Sequence, residues 1–227
     1  MTRIALIHAT PAAVEPIRTA FAQDWPEPDL VNLLDDSLSR DRALAPDLTD
    51  SMYGRFDSLG RYALSFGADG ILFTCSAFGP AIERVAQSVP VPVLKPNEAM
   101  FAEAIAIGGT VGMLATFEPS IASMGAEFKA DAAKAGVAVT LQTKFVPDAM
   151  AALLAGDRDR HDALVAAAGA ALAHCNAIML AQFSMAPAAD LLRQKVPGVP
   201  VLTSPGAAVA AMRRRIAQGT AALQARS

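Results

Sequence analysis

The feature that most constrains this chain is that its second half repeats the pattern of its first. Ala68-Asp69-Gly70-Ile71-Leu72-Phe73-Thr74-Cys75-Ser76-Ala77-Phe78-Gly79-Pro80 lies over Cys175-Asn176-Ala177-Ile178-Met179-Leu180-Ala181-Gln182-Phe183-Ser184-Met185-Ala186-Pro187 at a shift of 107 residues. In both copies an apolar run leads to a polar tip and then to a helix-opening proline. The same shift lays Ile4-Ala5-Leu6-Ile7-His8 over Val111-Gly112-Met113-Leu114-Ala115. One residue later in register, Pro92-Val93-Leu94 matches Pro200-Val201-Leu202. Three matches in order, at nearly one spacing, describe two copies of one structural unit.

The pattern inside each copy defines that unit. Short apolar runs at 3–8, 31–35, 70–74, 92–94, 110–115, 137–142, 177–181 and 199–202 read as strands. Between them, Met52, Phe56, Leu59, Ala63 and Phe66 recur at steps of four and three, one face of a helix closed by Gly67. Strands that are almost uniformly apolar and alternate with helices indicate parallel sheet covered on both faces. The expected fold class is α/β, with two similar α/β domains related by a pseudo-twofold axis. The turns Lys95-Pro96-Asn97 and Thr203-Ser204-Pro205 are the natural crossovers. One domain is then 1–96 plus 204–227 and the other 97–203. Ligands of open α/β sheets bind beyond the carboxyl ends of the strands, so the active site is expected in a cleft between the two domains, with Cys75 opposite Gln182.

Composition excludes several classes. The chain is 53% hydrophobic and 18% charged, as a compact globular protein is, and its 227 residues suffice for a substantial core. It has no apolar run of about eighteen residues or more, and so no expected membrane helix. The apolar stretch after Thr2-Arg3 is too short for a signal peptide and reads as a first strand, which points to a cytoplasmic protein. Net charge is −3 and the 19 Lys and Arg residues form no basic stripe, so nucleic acid is not an expected partner. The one compact basic run, Arg213-Arg214-Arg215, reads as the solvated face of a C-terminal helix. Cys75 and Cys175 make no CxxC pair and no metal-ligand pattern with the three histidines. No glycine-rich nucleotide motif is present. No metal and no organic cofactor is expected.

Chemistry is expected at the strand tips. Cys75 follows the strand 70–74 and precedes a helix with Pro80 in its first turn, where proline fits because the first helical N–H groups have no partners. Those N–H groups and the helix dipole favour anions, which leads one to expect a thiol pKa drawn down toward neutrality. Ser76 and the amides of Ala77 and Phe78 are placed to hold a carboxylate beside it. Against this stands the reading of Cys75 as a small buried hydrophobe.

Thr74-Cys75-Ser76-Ala77 after a hydrophobic strand resembles the first catalytic-cysteine motif of the aspartate/glutamate/hydantoin racemase superfamily, to which arylmalonate decarboxylase and maleate isomerase also belong. Ile71–Pro80, Lys95–Met100, Leu114–Pro119 and Leu180–Ala186 fall where that superfamily places its active-site loops. The resemblance covers essentially the whole chain. It implies a small carboxylate, amino-acid or hydantoin-like substrate, with Cys75 as acid, base or nucleophile. Family racemases use a cysteine from each half, one on either face of the substrate Cα. Here the second position is Gln182, which has no proton to exchange near neutral pH but whose amide is a candidate to hold a substrate carboxylate or a water. Cys175 lies seven residues earlier, before its strand, and reads as structural.

The resemblance also implies roles for other residues. His8 falls at a polar substrate-binding position and is either a second acid/base or a hydrogen-bonded structural residue. Thr116 and Phe117 belong to a loop that in the family often binds the substrate carboxylate, with helix capping as the alternative for Thr116. Asn97 either caps a helix or faces the cleft, and Ser184, the counterpart of Ala77, is a candidate ligand contact. Asp36 reads as a loop or cap residue. Decarboxylation and cis–trans isomerisation stand beside racemisation, a binding protein without catalysis is the rival from another class, and a homo-oligomer stays open.

Overall fold

The computed structural model describes residues 1–224. The chain divides into two compact units, Met1–Pro96 with the segment from Pro205 onward, and Asn97–Ser204. Each is built on a four-stranded, all-parallel sheet.

In the first unit the strands are β1 (Arg3–His8), β2 (Asp29–Leu34), β3 (Gly70–Phe73) and β4 (Val93–Leu94), in the order β2-β1-β3-β4. They are joined through helices α1 (Val14–Asp24), α2 (Ser37–Leu44), α3 (Asp50–Ser65) and α4 (Gly79–Ser88). The second unit holds α5 (Glu98–Ile107), β5 (Gly109–Ala115), α6 (Pro119–Ala135), β6 (Val139–Phe145), α7 (Pro147–Leu154), α8 (Arg158–Gly169), β7 (Ala177–Leu180), α9 (Ala189–Lys195) and β8 (Val201–Thr203). Its order, β6-β5-β7-β8, repeats that of the first sheet. Helix α10 (Ser204–Gln224) carries the chain back to the first unit, where Met212 reaches Gly70 of β3. Among the described residues no helix is long and apolar enough to cross a membrane.

The repeat seen in the sequence is a repeat of strand register. Ile4, Ala5 and Leu6 pair with Gly70, Ile71 and Leu72, and at the same shift Val111, Gly112 and Met113 pair with Ala177, Ile178 and Met179. The one-residue slip recurs at the next strand, where Ile71 pairs with Val93 and Ile178 with Val201. A side-chain bond repeats as well. The Arg3 N–H donates to Asp69 Oδ2 at 2.8 Å, and the Thr110 N–H donates to Asn176 Oδ1 at 2.8 Å.

Central strands β3 and β7 are buried along their whole length, as apolar runs covered on both faces must be. Edge strands β2 and β6 mix half-buried and exposed residues, and this is where expectation and structure differ most. Strand β6 begins two residues later than its apolar run because the Val137 N–H is spent on the Ala132 carbonyl, closing α6 around Gly136 at φ +67°. It then continues through the polar residues Thr143 and Lys144, held by pairing with Met113 and Leu114.

The expected stripe on α3 is present, with Met52, Phe56 and Ala63 buried. Its packing centre passes through Gly60, where a Cβ would come within 2.6 Å of Val85 Cγ1, so only glycine lets α3 and α4 approach this closely. The Thr49 side chain caps the helix start by accepting from the Met52 N–H at 3.3 Å. The Phe56 ring stacks on Phe73 at 5.1 Å and meets Phe78 at 4.8 Å, and these two rings flank Cys75 in sequence. The turn that carries the thiol is thus clamped by buried aromatic surface. Replacing Phe56 by Ala is expected to cost about 3–5 kcal/mol of stability in urea denaturation and to free the Cys75 turn, seen as faster thiol labelling.

Candidate functional site

In the first unit β1 and β3 end side by side, which sets His8 against Thr74 and leaves Cys75 one residue beyond the sheet. Cys75 is extended (φ −117°, ψ 119°) and starts a single turn, Ser76–Phe78, before α4 with its Pro80. Ser76, Ala77 and Phe78 are all buried, whereas Cys75 keeps partial exposure.

The ionisation expected of the thiol is corrected by the structure. The sulfur lies deep among protein atoms, and burial pushes it up from an ordinary 9.0 to about 11. The Ala77 N–H, the Ser39 hydroxyl and the Arg42 charge pull the other way, in that order, without offsetting the burial. A three-residue turn stands between Cys75 and α4, so the sulfur does not sit on a developed helix N-terminus. At neutral pH Cys75 is therefore a thiol.

His8 is fully buried. Its Nε2 lies 3.0 Å from Asn32 Oδ1 and its Nδ1 2.8 Å from Thr74 Oγ1. With Asn32 accepting, Nε2 carries the proton and Nδ1 accepts from the Thr74 hydroxyl, so a neutral ring is satisfied at both nitrogens. Burial holds its pKa below the usual 6.5, against the opposing Asn32 bond. Of the two roles expected for His8 the geometry favours the structural one, because no ring nitrogen is left for a substrate.

Two groups that sequence reasoning passed over come from α2. The Ser39 hydroxyl donates to the Ala9 carbonyl at 2.7 Å. Buried Arg42 donates through Nε to the Ala77 carbonyl at 3.4 Å and through Nη1 to the Ala45 carbonyl at 2.6 Å. They sit three residues apart, on one helical face, but α2 buries little else than Leu38, so it offers no apolar periodicity to reveal an inward side. Asp36 stands outside the site, 3.7 Å from exposed Arg40.

In the second unit Gln182 occupies the position equivalent to Cys75, and its carboxamide is committed to the protein. Oε1 accepts from the Thr116 N–H at 2.9 Å and from the Thr116 hydroxyl at 3.3 Å. Nε2 donates to Ser120 Oγ at 2.9 Å, and Ser120 in turn donates to the Phe117 carbonyl at 2.7 Å. The donors expected from the Thr116 loop are therefore turned onto Gln182. Thr116 is not the helix cap either, a place taken by Glu118. Phe117 is half-buried and Ser184 buried at the same strand tips. Ser120 was the missed member here. Its counterpart in the first unit is Ala13, so the repeat gave no hint of it.

Asn97 stands at the N-cap position of α5, but its side chain does not cap the helix. It is buried and accepts a hydrogen bond from Ser204 Oγ. Asn97 and Ser204 are themselves related by the 107-residue shift, so the two crossover turns are tied to each other. Cys175 is buried in the core cluster with Leu172 and Ile178, as a structural residue. The basic run is exposed, with Arg213 and Arg215 donating to the Asp24 and Val93 carbonyls. Among the described residues no group of three or more His, Cys, Asp or Glu is placed to hold a metal ion.

The sequence matches the profile described as Asp/Glu/Hydantoin racemase over residues 5–140. The chain belongs to this family. The matched stretch includes His8, Cys75 and Thr116 and ends before Gln182. No curated protein matches by sequence. Among solved structures, the chain is similar to glutamate racemase from Francisella tularensis in complex with D-glutamate, with TM-score 0.76, 11% identity, and 96% of this chain and 82% of that one covered. It is similar to allantoin racemase from Pseudomonas fluorescens, with TM-score 0.67, 16% identity and coverage of 96% and 92%. It is also similar to a glycine-to-cysteine variant of arylmalonate decarboxylase, with TM-score 0.65, 16% identity and coverage of 96% and 94%. At these identities the likeness is one of fold. Within the Asp/Glu/hydantoin racemase family that fold carries racemases, and among its structural neighbours a decarboxylase.

Two measurements check the site. Gln182→Ala leaves the Thr116 N–H without its acceptor and Ser120 Oγ without its donor, and should lower stability by about 1–3 kcal/mol in urea denaturation. The Cys75 thiol pKa is raised on folding, so the stability it contributes is complete below pH 9.0 and is lost as pH rises toward about 11. Cys75→Ala should flatten that alkaline decline in melting temperature.

Proposed function

We propose that this protein is a racemase-superfamily enzyme that acts at the carbon next to a carboxylate or carboxamide of a small acid, with Cys75 delivering a proton to one face of the reacting carbon. The observation that carries the proposal is the state of the two equivalent strand tips. The first presents a protonated thiol on a residue that keeps partial exposure, and the second presents a carboxamide whose oxygen and nitrogen are both engaged. A symmetric two-thiol racemisation has no second thiol at the equivalent strand tip, and His8 has no free nitrogen to replace it.

A single acid suits chemistry that needs one proton. In a decarboxylation the C–C bond to the carboxylate breaks, CO2 leaves and the electron pair stays on carbon as an enolate. The Cys75 S–H bond then breaks, its proton forms the new C–H bond, and water reprotonates the sulfur. Oriented N–H and hydroxyl groups, Ser76 among them, stabilise the enolate oxygens as an oxyanion hole does. In exchange of one hand of substrate, the small thiolate fraction of Cys75 takes the Cα proton as the C–H bond breaks, the thiol exchanges with water, and its proton returns to the same face. The scheme calls for no metal or organic cofactor, and its repeated architecture is that of an internal duplication.

The test is NMR in deuterated water with amino acids, hydantoins and substituted malonates, followed by chiral analysis of any product. Deuterium incorporation at the α carbon with a single hand of product is expected, and Cys75→Ala should reduce turnover by about 10²-fold or more. Equal turnover of both enantiomers would overturn the one-sided scheme. The engaged Gln182 also suits a protein that binds small acids without converting them, and binding without turnover across the panel would establish that rival.

A further inference from the structure

We propose that α2 supplies the counter-groups for Cys75, the Ser39 hydroxyl and the Arg42 guanidinium holding the negative charge that the sulfur acquires when it gives up its proton. This rests on the reading of Cys75 as the proton donor. It assigns positioning roles to two residues that the family resemblance did not single out.

Helix α2 straddles the thiol. Ser39 binds the Ala9 carbonyl, just past the end of β1, and Arg42 binds the Ala77 carbonyl, two residues beyond Cys75. Arg42 also donates to the Ala45 carbonyl, so its charge is buried and its side chain is fixed at both ends of the guanidinium. A buried guanidinium keeps its charge at any pH of interest, and in a low-dielectric surrounding its field is screened little. Around the sulfur, Arg42 is the charged group, and the neighbouring titratable group, His8, is held neutral behind Thr74.

The Ser39 hydroxyl has one proton, and at rest it is directed at the Ala9 carbonyl. The β1–β3 register that pairs Ile7 with Phe73 sets Ala9 beside Cys75, so the remaining lone pairs of Ser39 Oγ are on the side of the strand tips where the thiol stands. When the S–H proton moves to carbon, the electron pair remains on sulfur. Rotation about the Ser39 Cβ–Oγ bond turns the hydroxyl proton from Ala9 to the thiolate, and the Ala77 N–H points to the same atom. The hydroxyl thus serves the thiol as acceptor and the thiolate as donor, with no net proton change of its own. A proton from water later restores the thiol and lets Ser39 return to Ala9.

The test is the pH dependence of Cys75 alkylation by iodoacetamide between pH 7 and 10.5, followed by peptide mapping, with Cys175 as internal control. It needs no substrate, so its outcome is independent of whether the proposed reaction is found. Ser39→Ala and Arg42→Met are each expected to move the rise in labelling to higher pH by about half a unit or more. At a fixed pH near 9 this appears as slower labelling of Cys75 with the Cys175 rate unchanged. Arg42→Lys, which keeps the charge, should recover most of the loss. A role confined to holding the turn predicts the opposite, faster labelling through a loosened site. Faster or unchanged labelling in folded Ser39→Ala and Arg42→Met, checked by circular dichroism, overturns the proposal. Should Arg42→Met fail to fold, Ser39→Ala and Arg42→Lys decide it, slowed labelling in the first with near-normal labelling in the second supporting it and any other result overturning it.

Discussion

Parallel pairing of β1 with β3 is the constraint on which the candidate site depends. Backbone bonds fix Ile7 beside Phe73, and the Thr74 N–H continues the ladder by donating to the Ile7 carbonyl at 3.0 Å. That register places the Thr74 hydroxyl against His8 and leaves Cys75 as the first residue free of the sheet. A slip of one residue would exchange the faces of the strand, burying Cys75 in the sheet and pulling Thr74 out of it. Phe73 and Phe78 then hold the turn from both sides through Phe56. The thiol owes its place to hydrogen bonds it does not make.

The balance at Cys75 is between desolvation and local donors. A turn N–H, a hydroxyl and a buried arginine all favour the thiolate, yet burial outweighs them and the sulfur stays protonated. This makes the residue a poor base and a serviceable acid at neutral pH. An acid of this kind is suited to quenching a carbanion, where the strongly basic acceptor drives the transfer, more than to abstracting a proton.

The second unit shows how one exchange of residue alters the use of an equivalent tip. Gln182 keeps the backbone position of Cys75, extended and opening a short turn. Its longer side chain reaches the Thr116–Ser120 loop and closes three hydrogen bonds there. Donors converging on an oxygen at the start of α6 resemble what a carboxylate would meet, but the oxygen they hold belongs to the protein. The two tips share architecture without sharing chemistry.

How much of this was legible in the sequence follows from the range of the forces involved. The strands, the repeat and its slip, and the location of Cys75 and Gln182 at equivalent strand tips could be read directly. Each depends on residues adjacent in the chain, since buried parallel strands require continuous apolar runs and the tip is whatever follows them. The edges were less clear, because β6 holds polar residues in place by pairing with β5 and not by burial of its own. The ionisation of Cys75, the neutral doubly bonded His8, the Asn97–Ser204 tie and the capture of Gln182 by Thr116 were not legible at all. Each sets side chains from distant segments within about 3 Å of one another, and no periodicity records such an encounter. The sequence by itself determined where the Cys75 thiol stands, because covalent order and hydrophobic pattern place a strand tip. Only the tertiary structure decided whether that group carries a proton, because charge state is set by the dielectric and the donors that folding gathers around it.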